Sequence, residues 1–252
     1  MKKSDNNVVS LFEQTNQGVQ KAVLTDSMKM KRGGSLSNPI VAYETWGKLS
    51  KQKDNVVVIL TGLSASSHVA SHSNNSKPGW WEGIVGPDKA IDTNKFYVIC
   101  VNSLGSCFGS TGPASINQIT GEPFRLTFPE LTIDDMATAT KLLLDKLDIK
   151  QINTLVGPSM GGMHALALII QNSDFVRNFI AISTAFQSLP YAIAIRSLQR
   201  EVIRKDPLWK NGYYTLDSQP LNGVRIARKL GMISYRSANE WAQRFGRKKS
   251  SK

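Results

Sequence analysis

Gly157-Pro158-Ser159-Met160-Gly161-Gly162 stands between an apolar run at residues 152–156 and a helix-patterned run at residues 163–170. The order is strand, sharp turn, helix, with Ser159 at the turn. That is the context in which a G-x-S-x-G motif forms a nucleophile elbow. The flanking glycines carry no Cβ, so strand and helix can close on each other and the turn can adopt unusual backbone angles. Ser159 is thereby carried to the C-terminal edge of a sheet. The backbone N–H groups that open the following helix lie beneath it, where a developing oxyanion would sit. A bare glycine-rich turn would share the motif; the apolar strand before it and the Ala/Leu-rich helix after it favour the catalytic reading.

Outward from this turn the pattern repeats. Residues 56–60 and 96–101 are continuous apolar runs, as expected of strands buried on both faces, and residues 176–182 read as a third such strand. A helical periodicity covers 133–147. Upstream, residues 19–24, 27–31 and 40–45 alternate apolar and polar side chains, as half-buried antiparallel strands do. Gly33-Gly34 and Ser37-Asn38-Pro39 supply turns between them. Strands alternating with helices predict an α/β fold, with a mainly parallel sheet and helices on both faces. Beyond Phe186 strand character ends. Residues 192–203, 224–230 and 238–245 read as helices, the first stopped by Pro207. The chain thus divides into an α/β core over 1–186 and a helical, lid-like segment over 187–252. No internal repeat or low-complexity linker interrupts it.

Composition narrows the function classes. The 252 residues carry 31 basic and 19 acidic side chains, a net charge of +12. The surplus is diffuse, with clusters only at Lys2-Lys3 and Arg247-Lys248-Lys249, and no nucleic-acid-binding motif accompanies it. A polyanionic small molecule such as coenzyme A would be attracted equally well. Two cysteines, Cys100 and Cys107, are too few for a disulfide framework and lack metal-ligand spacing, so the expectation is a reduced, cytoplasmic protein with no metal site. No apolar run reaches membrane-spanning length, and no signal-peptide core follows Met1-Lys2-Lys3.

Two loops accompany Ser159. Residues 61–68 leave the 56–60 strand and read either as a small-residue turn or as the source of a second oxyanion amide, Leu63, beside Met160. Residues 102–113 are rich in Gly and Ser and read either as a long turn or as pocket lining. Cys107 reads as a small buried hydrophobe rather than a nucleophile. Arg196, Arg200, Arg225 and Arg228 read as solvated charges, any one of which has the planar fork to clamp a carboxylate. Among the histidines, His164 lies five residues past Ser159, turned toward packing. His72 falls in a polar loop as a solvated side chain.

Several long stretches resemble the homoserine O-acyltransferase family, acyl-CoA transferases of the α/β-hydrolase fold in sulfur amino-acid biosynthesis. They are Gly79-Trp80-Trp81-Glu82-Gly83, Val85-Gly86-Pro87, Asn102-Ser103-Leu104-Gly105-Ser106-Cys107, Gly109-Ser110-Thr111-Gly112-Pro113-Ala114-Ser115 and the Ser159 elbow through Met163. The resemblance runs from about Ile40 to Arg247. Ile195-Arg196-Ser197-Leu198-Gln199-Arg200-Glu201, Ala227-Arg228-Lys229-Leu230-Gly231-Met232 and Tyr235-Arg236-Ser237-Ala238-Asn239-Glu240-Trp241 are similar to the succinyl-CoA-using branch, which acylates L-serine as well as L-homoserine. The resemblance implies that Ser159 is the nucleophile and that Leu63 and Met160 give the oxyanion amides. It implies that Arg228 holds the amino-acid carboxylate with Tyr235 beside it, and that His68 is structural or pocket-lining. It also implies a homodimer through the lid, acyl-CoA as co-substrate and no bound cofactor.

The implied reaction has two steps: Ser159 takes the acyl group from the thioester, and the side-chain hydroxyl of serine or homoserine then takes it from Ser159. Each step needs a base. The family places its triad acid and histidine on segments that would follow Arg247. The expectation is therefore a chain with the nucleophile but without its two partners or the last two core strands. Asp206 and Asp217 lie in the lid with no histidine to orient. Two alternatives stay open: a non-catalytic remnant that binds acyl-CoA or a partner subunit, and a plain esterase of the same fold.

Overall fold

The computed structural model describes residues 18–247, in two compact units, one ending at Phe186 and one beginning at Gln187. Of the basic clusters at the chain ends, only Arg247 falls within the described residues. In the first unit the elements run β1 (Gln20–Val23), β2 (Ser27–Lys29), β3 (Ser35–Ser37), β4 (Ile40–Trp46), β5 (Val56–Leu60), β6 (Val85–Gly86), β7 (Ile91–Asp92), β8 (Tyr97–Val101), α1 (Ile133–Lys146), β9 (Ile152–Pro158), α2 (Met160–Gln171) and β10 (Val176–Ile182).

Six of these strands form one sheet in the order β1-β4-β8-β5-β9-β10. β8, β5, β9 and β10 are parallel, while β1 and β4 add antiparallel pairs at one side. The order has a consequence for function. The chain leaves β5 toward β8 on one side and leaves β9 toward β10 on the other. β5 and β9 are neighbours, so their C-terminal ends flank a topological switch point, where open α/β sheets form their ligand crevice.

The interior follows from alternation along the strands. Val56, Val58 and Leu60 of β5 face one layer, with Ile99, Val101, Leu155, Leu143, Leu144 and Leu168. Val57 and Ile59 face the other, with Val98, Cys100, Val156, Val69, Ala70 and Trp46. All five β5 residues are buried on both faces, and each fully buried Val, Leu or Ile contributes about 1.5–3 kcal/mol. Among the described residues of this unit, α1 and α2 both supply the first layer, and the loop region carrying Val69, Ala70 and Trp81 covers the second. α1 starts at a capping box, with Thr132 and Asp135 exchanging side-chain and backbone hydrogen bonds.

β3 lies between the turns expected at Gly33-Gly34 and Ser37-Asn38-Pro39 and takes in Ser37 of the second; it pairs antiparallel with β2 and buries Leu36 completely. One leucine between two serines carries too little periodicity to announce a strand. α2 begins at Met160, three residues before its apolar pattern, because the elbow glycines belong to its first turn.

The second unit holds α3 (Pro190–Arg204), α4 (Leu221–Ser234) and α5 (Ala238–Phe245). α3 and α4 pack closely at Gly223, where a Cβ would stand 2.6 Å from the Val202 carbonyl oxygen. The Gln199 amide donates to the Ala227 carbonyl at 2.7 Å. No helix among the described residues is long and apolar enough to cross a membrane.

Candidate active site

Ser159 sits between the last residue of β9 and the first of α2, with φ 55° and ψ −122°. A non-glycine residue at this positive φ costs on the order of 1–3 kcal/mol and persists only where the surroundings over-determine it. Three contacts do so. The Ser159 N–H donates to the Ile182 carbonyl at 2.9 Å, and the Gly162 N–H donates to the Ser159 carbonyl at 3.0 Å. The Thr184 hydroxyl donates to the same carbonyl at 2.7 Å. Ser159 itself is exposed.

The glycines of the elbow are sites of close approach. A Cβ on Gly161 would lie 2.0 Å from the Leu60 carbonyl oxygen, and one on Gly157 would lie 2.6 Å from the Gly161 oxygen. α2 can therefore rest on the end of β5 only through a bare backbone. The same packing brings the β5 loop to Ser159: a Cβ on Gly62 would be 3.8 Å from Ser159 Cβ. Leu63 follows in a turn, 63% exposed. Met160 is the first helical residue, and its N–H has no carbonyl four residues back within the helix to bond. Ser159, Met160 and the Gly62-Leu63 step are thus brought together at the switch point. Arg228 and Tyr235 lie in the second unit, Arg228 exposed on α4 and Tyr235 at its C-cap, 67% exposed.

The two loops are braced from beneath by residues whose role the sequence motifs do not reveal. Asn102, at the end of β8, accepts the Ser67 N–H at 2.6 Å and donates to the Ser67 hydroxyl at 3.0 Å and the Phe108 carbonyl at 2.8 Å. One buried amide therefore ties residues 61–68 to residues 102–113. In the Gly-Ser-Thr-Gly-Pro stretch, Ser110 Oγ accepts the Ala42 N–H at 2.9 Å and Thr111 Oγ1 accepts the Ile40 N–H at 2.8 Å. Both residues are buried. These hydroxyls extend the β4 ladder, so this part of the motif is scaffold, which its composition alone does not distinguish from pocket lining. Glu82 accepts from Ser71 N, Ser71 Oγ and Gly79 N at 2.7–2.9 Å. Those donors hold its carboxyl down at about 2.

The chain's three histidines are engaged away from the elbow hydroxyl. His164 is fully buried on α2 with Nε2 3.0 Å from the Thr140 hydroxyl, and burial pushes its pKa down to about 4. His68 and His72 both contact Glu44, at 2.8 and 2.9 Å. The expectation of a solvated His72 is thus corrected: its side chain is 13% exposed and faces a buried carboxylate. Cys107 is corrected in the opposite sense, being exposed rather than buried, because the loop turns it outward from the Leu104 side that packs in the core. In the second unit Asp206 accepts the Gly223 N–H at 2.8 Å and the Leu208 N–H at 2.9 Å. These backbone donors lower its pKa and commit it to holding the start of α4.

Residues 55–252 match the α/β hydrolase fold family. The chain is 54% identical over 230 residues to the serine O-succinyltransferase of Xanthomonas campestris pv. campestris (strain B100), covering 91% of this chain and 60% of that protein. It is 53% identical to the serine O-succinyltransferase of Stenotrophomonas maltophilia (strain K279a), covering 91% and 62%. Among solved structures, homoserine O-acetyltransferase from Bacillus anthracis superposes with a TM-score of 0.82 at 30% identity, covering 93% of this chain and 65% of that one. Esterase E22 superposes with a TM-score of 0.79 at 35% identity, covering 89% and 64%. The chain therefore spans about three fifths of the length of the curated relatives it matches.

Proposed function

This chain belongs to the α/β-hydrolase-fold O-acyltransferase family, and from that premise we propose that its chemistry is transfer of a succinyl group from succinyl-CoA to the side-chain hydroxyl of L-serine, through an acyl-Ser159 intermediate. L-Homoserine as acceptor and acetyl-CoA as donor are the nearest variants of the same reaction. The observation that carries the reading is Ser159 itself, exposed at positive φ over the β5–β9 switch point with the Gly62-Leu63 step beside it. The serine O-succinyltransferase relatives support the choice of donor and acceptor.

In this reading Ser159 Oγ attacks the thioester carbonyl, its proton passing to a base, and the tetrahedral oxyanion takes hydrogen bonds from the Leu63 and Met160 amides. Coenzyme A departs as the thiol, and the serine hydroxyl then attacks the acyl-enzyme ester and frees Ser159. Arg228 would meet the substrate carboxylate, with Tyr235 beside it. The product would feed cysteine or methionine synthesis in the cytoplasm.

Among the described residues, no histidine bonds Ser159. We therefore expect the 252-residue chain alone to acylate slowly, since removing the base of such a triad leaves only the residual catalysis of oxyanion hole and binding.

Incubation with succinyl-CoA followed by peptide mass spectrometry tests the reading. A succinyl adduct on Ser159, absent in Ser159→Ala, supports it, and O-succinyl-L-serine on adding L-serine completes the cycle. Hydrolysis of p-nitrophenyl esters with no transfer to either amino acid would establish instead the esterase reading, which the likeness to esterase E22 favours. CoA binding without any adduct would point to the non-catalytic remnant.

A further inference from the structure

Glu44 is the one acidic residue on β4, and it is 1% exposed on the strand face that also carries Trp46. His68 Nδ1 lies 2.8 Å and His72 Nε2 2.9 Å from the same carboxylate oxygen, Oε2. The other oxygen, Oε1, accepts the Ser67 hydroxyl at 2.9 Å. All three potential ligand atoms fall within 4.8 Å of one another.

The hydrogen-bond accounting at His68 is unusual. Its Nε2 is 2.7 Å from the Lys77 carbonyl oxygen, an acceptor only, so Nε2 carries the proton. Neutral His68 then turns the Nδ1 lone pair toward a carboxylate oxygen. Two electron-rich atoms at this distance require a cation between them, either a further proton or a metal ion. His72 is less constrained: its Nδ1 has only a long contact, 3.3 Å, from the Asn74 N–H, so a change of tautomer that frees Nε2 gives up little.

We propose that Glu44 Oε2, His68 Nδ1 and His72 Nε2 form a binding site for a divalent transition-metal ion of the zinc class. Two imidazoles and one carboxylate suit Zn2+ or Co2+ rather than Ca2+ or Mg2+, which take oxygen ligands. Metal–nitrogen and metal–oxygen bonds of about 2.0–2.2 Å bring ligand atoms roughly 3 Å apart, near the two N···O separations already present. The supporting contacts are those of a metal centre. A ligating histidine almost always gives its other ring N–H to a carbonyl or carboxylate, and ligating carboxylates are themselves hydrogen-bonded. Lys77 and Ser67 fill these two roles. A cleft of about 400 Å³ borders His72, together with Asn74, Trp46 and Thr93. An ion here would fasten residues 67–75 to β4. The proposal does not depend on the acyl-transfer reading.

The test titrates Co2+ into the chelator-treated full chain, reading visible d–d absorption, with Zn2+ as competitor and metal content by mass spectrometry. The expected result is a saturable band at one equivalent, abolished by Zn2+, and a rise in melting temperature on loading. His72→Asn leaves the His68 and Ser67 bonds to Glu44 in place and should weaken binding about tenfold or more. His68→Asn and Glu44→Gln should abolish the band, with far-UV circular dichroism reporting the fold. His164→Leu should bind as the parent does. A parent chain without a saturable band, or a folded His72→Asn protein that binds as tightly as the parent, overturns the site.

Discussion

Thr184 reaches back from the end of β10 to donate its hydroxyl to the Ser159 carbonyl at 2.7 Å. The same side chain closes against Gly162, where a Cβ would meet it at 2.5 Å. A single side chain two residues beyond β10 thus fixes both the strained turn and the helix that follows it. The elbow is a device of three strand ends, β5, β9 and β10, rather than of its own pentapeptide.

The elbow glycines should rank by what they touch. Gly161→Ala drives a Cβ into the Leu60 backbone, which cannot rotate away, and should cost about 3 kcal/mol or more. Gly162→Ala meets a side chain that can turn and should cost less. Gly83→Ala, with nothing within 4 Å of its Cβ, should stay within about 0.5 kcal/mol of the parent. Urea unfolding of the three variants provides the comparison, and an unaltered Gly161→Ala would refute the packing described.

The positive φ of Ser159 should appear as stored strain. Ser159→Gly removes the Cβ penalty and should raise stability by about 1 kcal/mol while eliminating any acyl adduct. Ser159→Ala keeps the Cβ and should eliminate the adduct with little change in stability. Equal midpoints for the two variants in denaturant would show that the turn is relaxed.

His164 should make stability pH-dependent. Its folded pKa, about 4, lies below its ordinary value near 6.5, so the unfolded chain binds the proton first. The histidine's contribution is whole above the unfolded value and lost as pH falls from 6.5 toward 4, at on the order of 1.4 kcal/mol per pH unit. His164→Leu should flatten that part of the melting-temperature profile, leaving the carboxylate losses at lower pH. An unchanged slope would mean that His164 is not buried as a neutral ring.

β10 has a strand neighbour on one side only among the described residues, and Ile180 on it is 48% exposed. Such an edge invites pairing with other chains. Ile180→Lys should raise the monomer fraction in light scattering coupled to size-exclusion chromatography, with an unshifted melt. An equally aggregated Ile180→Lys protein would locate the association elsewhere.

Much of this was legible in the chain. The apolar run at 56–60 and the strand expected at 176–182 coincide with β5 and β10, and the glycine spacing around Ser159 predicts the elbow, because period and turn chemistry are local properties that need no partner. β10, however, carries Arg177 and Asn178 and is not buried on both faces. What the sequence concealed was pairing at a distance. Glu44 reads as an ordinary polar position in an alternating strand, and His72 as a solvated loop residue, until β4 and the 67–75 loop are laid side by side. Asn102, Ser110 and Thr111 look like loop lining until their hydrogen bonds to Ser67, Phe108 and β4 are seen. By itself the sequence determined where strands and helices fall and which hydroxyl stands at the turn, since those follow from neighbouring residues. Only the tertiary structure decided that β9 settles beside β5, that Gly62 comes to Ser159, and that two histidines share one buried carboxylate. Those juxtapositions arise from the order in which strands close into a sheet, which no single stretch encodes.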